Sequence, residues 1–97
     1  MCLMSRLQLG NAAMTQIAKL YARLLANPNL ALSFRDFLAL VAAFGFTHAR
    51  TSGSHQSWVH PDCPRLLVLQ PKGKEAKRYQ VRQFLDMIEE FGLKMEE

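Results

Sequence analysis

The chain predicts an α+β two-layer sandwich of order α-α-β-β-β-α, a three-stranded antiparallel sheet with helices on one face. Two observations carry most of that prediction. Apolar residues recur at helical spacing in two early segments and again near the C-terminus, whereas between about Phe46 and Leu69 the period falls to that of strands. The punctuation inside the strand region, Ser52-Gly53 and then Pro61 to Pro64, is short enough for hairpins.

Each element has its own justification. Residues 1–10 lack periodicity and are expected to form a flexible arm, with Met4 and Met14 as alternative starts. From about Asn11 to Ala26, Met14, Ile17, Ala18, Tyr21, Leu24 and Leu25 fall on one helical face. Asn27-Pro28-Asn29 ends that helix, because proline cannot continue it and asparagine favours turns. Ser33 is an N-cap candidate with Asp36 three residues on, and Phe34, Phe37, Leu38, Val41 and Phe44 form the apolar face that follows. Gly45 closes this second helix. Thr47 to Thr51 and Ser54 to His60 read as two short strands around Ser52-Gly53, and Leu66 to Leu69 as an apolar third strand. Gln70 to Arg78 reads as a polar, basic loop. Tyr79 to Phe91 resumes helical spacing through Val81, Phe84, Leu85 and Ile88, and Gly92 ends it. Residues 11–97 are therefore expected to be one domain, with a core over 33–93 and an additional helix over about 11–26.

Composition narrows the function. With 97 residues, 49% apolar and 21% charged, the chain suits one modest folded core and not a disordered segment. The longest nearly apolar run, Phe37 to Phe46, has about half the ~20 residues a membrane span needs, and Arg6 interrupts any signal-peptide core. A cytoplasmic location with no membrane partner is the expectation. Cys2 and Cys63 make no disulfide framework and read as structurally incidental. Charge is unevenly spread: residues 1–82 hold eleven Lys/Arg against three Asp/Glu, and the last fifteen hold Lys94 against five acids. A basic body suits a polyanionic partner.

The chemistry-bearing candidate is His55, opening the second strand. Histidine is the side chain whose ordinary titration lies nearest neutrality, so it can take a proton from a ribose 2′-hydroxyl. Seven cations (Arg50, Arg65, Lys72, Lys74, Lys77, Arg78, Arg82) lie between Phe46 and Arg82, against Asp62 and Glu75. A turn at Ser52-Gly53 would pair Arg50 with His55 and His48 with Ser57, placing all four on one face. One step of slip would break that patch up. Lys72, Lys74, Lys77 and Arg78 are candidates for backbone phosphate contacts. The competing reading, an exposed strand histidine with no chemical role, stays open at this point. A zinc site from His60, Cys63 and His48 is disfavoured, since there is one short-spaced pair where structural zinc uses two. Trp58 alternates with His55 and is expected on the core face. Asp86, Glu89 and Glu90 read as the solvated side of the last helix. No carboxylate pair and no Gly-rich phosphate loop appears, so metal-dependent hydrolysis and nucleotide hydrolysis are disfavoured. No cofactor is expected.

These residues resemble the HicA family of small bacterial toxins. The likeness rests on Gly45-Phe46 at a helix end, Arg50, Gly53-Ser54-His55, His60-Pro61, the apolar third strand and the closing helix, with Ala76 to Gln83 as a subgroup feature. It implies a double-stranded-RNA-binding-domain-like fold and a metal-independent mRNA interferase with His55 catalytic. Arg50, Ser54, Lys72, Lys74, Lys77 and Arg78 would bind RNA, and a HicB-type antitoxin would mask the site. The N-terminal helix is an addition to the family pattern, and Gln70-Pro71 stands where many members have a proline–histidine pair. Two readings compete with the nuclease: a non-catalytic RNA-binding module of the same fold, and a purely structural or regulatory partner.

Overall fold

The computed structural model describes residues 12–95, with side chains described from residue 16 onward. The N-terminal arm expected over residues 1–10 lies outside the described residues. Two helices come first, α1 (Ala12–Ala26) and α2 (Phe34–Ala43). Three strands follow, β1 (Thr47–Ser52), β2 (His55–His60) and β3 (Cys63–Leu69), then two very short ones, β4 (Pro71–Lys72) and β5 (Glu75–Ala76). Helix α3 (Arg78–Phe91) closes the fold. The main sheet is antiparallel in the order β1-β2-β3, and β4 pairs antiparallel with β5. The α+β layout expected from the sequence is the layout observed.

The helix boundaries have local causes. Ser33 Oγ accepts the Asp36 N–H at 3.0 Å, the capping bond predicted for α2. At the far end of α3, Gly92 takes a left-handed conformation with φ 62°, which ordinary side chains adopt only at a steric cost.

Phe84 of α3 is the centre of the core. Its ring meets Phe37, Phe44 and Phe46 edge-on, at centroid distances of 5.6, 5.5 and 5.9 Å. Leu67 and Leu69 of β3 complete the packing, fully buried, so their side of the sheet is the one the helices cover. Helix α1 is part of this core: Leu24 is fully buried and Tyr21 packs edge-on against Phe44 at 5.0 Å. The acidic side of α3 is exposed as expected, with Arg65 of β3 pairing to Glu90. Both partners are about half exposed, and such pairs add little stability.

The segment read as a basic loop, Gln70 to Arg78, is more ordered than that reading. Residues β4 and β5 form a tight hairpin around Gly73-Lys74. The hairpin is fastened to the entrance of α2 by the Phe34 N–H donating to Lys74 O at 2.8 Å and the Ala76 N–H donating to Leu32 O at 2.9 Å. Strands of two residues have no periodicity to read, and their support comes from residues some forty positions earlier in the chain.

Candidate nucleic-acid interface

Glycine placement decides the geometry around His55. Pairing of Ser52 with His55 puts the turn at Gly53-Ser54, one residue beyond the expected Ser52-Gly53. Gly53 has φ 62° and no non-glycine described residue has positive φ. That combination fits a two-residue turn with glycine first, the form whose twist matches antiparallel strands.

The shift redraws the predicted patch. His55 faces Ser52, not Arg50, and Arg50 faces Ser57. Because facing residues share a side of the sheet, Arg50, Ser52, His55 and Ser57 all project from the face opposite Leu67 and Leu69. Arg50 and His55 are thus diagonal neighbours, positions that lie roughly 7–8 Å apart in antiparallel ladders. His48 leaves the patch. An extra residue, Ala49, breaks the register between the His48–Trp58 and Arg50–Ser57 pairs, and such a bulge re-aims the side chain before it. The His48 ring instead packs 5.4 Å from Trp58, and its Nε2 shares a 2.7 Å hydrogen bond with Thr51 Oγ1. Trp58 is half-buried on the helix side, as its alternation with His55 predicted.

Ser54 and His55 are both exposed. The turn that carries them is tied to the start of α3 by a chain of side-chain hydrogen bonds. Gln70 Nε2 donates to Ser54 Oγ at 2.9 Å, and Lys77 Nζ donates to Gln70 Oε1 at 3.0 Å. Gln80, buried at 5% exposure, accepts the Gln70 backbone N–H at 3.0 Å and donates through Nε2 to Tyr79 OH at 3.3 Å. Gln70 is therefore a junction between the turn that precedes His55 and Lys77. Its sequence signal was limited to the unusual Gln70-Pro71 pair at the end of β3.

The four predicted loop cations divide into two sets. Lys72, Lys77 and Arg78 line one groove of about 650 Å³ together with Ala31, Glu75, Ala76 and Tyr79. Lys74 lines a separate, mostly apolar groove of about 570 Å³ with Phe34, Leu38 and Pro71. Neither groove is lined by His55. The zinc candidates are engaged otherwise: His60 Nδ1 accepts the Asp62 N–H at 2.9 Å, and Cys63 is buried with its thiol 3.5 Å from Arg65 O. Among the described residues no three His, Cys, Asp or Glu side chains gather at metal-binding spacing.

A small α+β body with an exposed histidine turn tied to a basic helix start is the class defined by this fold and site. The family model described as the HicA toxin of bacterial toxin–antitoxin systems matches residues 34–93, from the first residue of α2 to just beyond α3. The chain belongs to the HicA toxin family, and membership implies an antitoxin partner. Helix α1 precedes the matched segment. The curated proteins and the solved structures give no match. No helix among the described residues is long and apolar enough to cross a membrane.

Proposed function

We propose that this toxin-family protein is a metal-independent endoribonuclease that cuts mRNA. The observation that supports the reading is the exposed His55 on the open sheet face, diagonal to Arg50 and next in the chain to Ser54, whose hydroxyl is bonded through Gln70 to Lys77. In this mechanism His55 takes the proton of a ribose 2′-hydroxyl, and the 2′-oxygen attacks the adjacent phosphorus. The 5′-oxygen of the next nucleotide leaves and takes a proton from water, and His55 returns its proton to solvent, so the products are a cyclic phosphate and a free 5′-hydroxyl. Arg50 and Lys77 stabilise the charge that builds on the phosphoryl oxygens. Ser54 orients the turn through Gln70. Lys72 and Arg78 hold phosphates near the start of α3, and Lys74 takes one farther along the strand. The imidazole supplies the base, so the step calls for no metal. A HicB-type antitoxin would act by covering this face, and the site of action would be the cytoplasm, where mRNA is.

The test is incubation of purified protein with a long single-stranded RNA in the presence of a chelator. Wild-type protein should produce fragments and His55→Ala should not, with both equally folded. The general base of such a step contributes about 10²- to 10⁴-fold in rate. Full activity in His55→Ala would remove the histidine from the mechanism.

The separation of the basic groove from His55 favours a second reading, an RNA-binding module without catalysis. It predicts salt-sensitive RNA affinity and intact RNA in the same gel.

A further inference from the structure

We propose that the groove between Ala31, the β4–β5 hairpin and the first turn of α3 binds one unpaired nucleotide of an RNA strand. Lys72, Lys77 and Arg78 take its phosphate, and Tyr79 is the platform for its base. The placement of that nucleotide next to the cleaved bond rests on the nuclease reading above; the preference for an unpaired base does not.

The size, charge and aromatic lining of the groove agree on this occupant. Its volume of about 650 Å³ lies inside the ~300–1,000 Å³ range of small-ligand sites. Three cations against the single carboxylate of Glu75 leave the lining with a net charge of +2, which suits an anion. Tyr79 is 63% exposed, more than the other exposed large apolar residues (Leu25, Val59 and Leu66). A ring that contributes so little to the core is free to offer its face to a ligand. It is also held in place, because the buried Gln80 donates to its hydroxyl. An aromatic face beside cations is the combination that binds single strands, with the base stacked and the backbone neutralised.

The same features select against a duplex. Inside a double helix each base face is covered by its neighbours, so a protein ring can stack only on a base that is unpaired and splayed out. Lys77 connects this groove to the histidine turn through Gln70 and Ser54, so one strand occupying the groove would run toward His55.

Binding is read in the His55→Ala background, which removes cleavage from the measurement. The probe is a short single-stranded RNA carrying a fluorescent adenine analogue, compared with its blunt duplex and with adenosine monophosphate as competitor. The single strand should bind more tightly than the duplex, with the analogue quenched on binding. Tyr79→Ala and Tyr79→Leu should each weaken single-strand binding about five- to a hundred-fold and abolish the quenching. Tyr79→Phe, which keeps the stacking face and loses only the hydroxyl's bond to Gln80, should keep the quenching with a smaller loss of affinity. The leucine variant keeps apolar bulk at the site should alanine disturb the helix start. Unchanged affinity and quenching in both variants would overturn the proposal. So would equal binding of the duplex, or displacement of the strand by adenosine monophosphate at matching concentrations, which would indicate a free-nucleotide site. Failure of the wild-type protein to cut RNA, with the Tyr79 effects intact, would sink the nuclease reading alone.

Discussion

The two hairpins of this molecule are built alike and equipped differently. Each turns on a glycine with positive φ, Gly53 at 62° and Gly73 at 64°, and each is followed in the turn by one further residue. The β1–β2 hairpin belongs to a three-stranded sheet and carries His55 on the open face. The β4–β5 hairpin lies outside that sheet, is fastened to the entrance of α2, and carries Lys72 and Lys74. In the proposed mechanism the reactive group and the hairpin's phosphate-binding lysines thus sit on separate supports, with Gln70 between β3 and β4 and bonded to Ser54 of the first hairpin. The difference suggests a division of labour in which one hairpin sets rate and the other sets affinity.

His55→Ala is the largest perturbation of that division. It should remove cleavage and leave RNA affinity within about twofold, since an exposed imidazole makes few of the phosphate contacts that dominate binding. Loss of affinity comparable to loss of cleavage would merge the two roles.

Gln80→Met should follow in size, because it acts on the junction itself. The Gln70 N–H would lose its acceptor in a half-buried position, at a cost of about 1–3 kcal/mol in unfolding free energy. Denaturant titration measures that cost. Both cleavage and RNA affinity should fall together in this variant, in contrast to His55→Ala. A change in stability with both activities untouched would show that the junction is structural only.

Gly53→Ala and Gly73→Ala are a matched pair. A Cβ at either position would meet nothing within 4 Å, so the cost is conformational and not a clash. Left-handed backbone costs an alanine about 1–2 kcal/mol, which should appear in each variant as a lowered denaturant midpoint. Their functional effects should diverge, with Gly53→Ala lowering the cleavage rate and Gly73→Ala lowering RNA affinity.

This pair also shows why the fold was more legible than the site. Helices and strands announce themselves through repeated apolar spacing, and Phe37, Val41, Leu67 and Phe84 all lie in the core where that spacing puts them. A two-residue turn has no such redundancy. Ser52-Gly53 and Gly53-Ser54 are both acceptable on composition, and the choice depends on which position needs positive φ. That single step moved Arg50 opposite Ser57. The bulge at Ala49 removed His48 from the patch, with a small residue that leaves no mark in the pattern. Tyr79 and Gln80 escaped for another reason: helical periodicity says which residues face the core, and nothing about which exposed ring borders a groove. Gln70 matters through partners ten residues away or more, at Gln80 and Ser54, and through Lys77.

The finest comparison lies within the second hairpin. Lys72 and Lys74 flank the same glycine, yet Lys72 lines the basic groove with Tyr79 whereas Lys74 lines the apolar one with Phe34 and Leu38. Each contacts phosphate in the proposed complex, so each lysine-to-alanine change should reduce the slope of log affinity against log salt by about 0.7, the single-strand value per phosphate neutralised. The two variants should then separate on stacking. Lys72→Ala removes the charge that seats the nucleotide beside Tyr79, and quenching of the adenine analogue should weaken with it. Lys74→Ala leaves that nucleotide in place, and quenching at saturation should match the parent protein. Equal loss of quenching in both would mean that the strand crosses the hairpin over its tip. The RNA path from His55 would then have to be redrawn along the apolar groove.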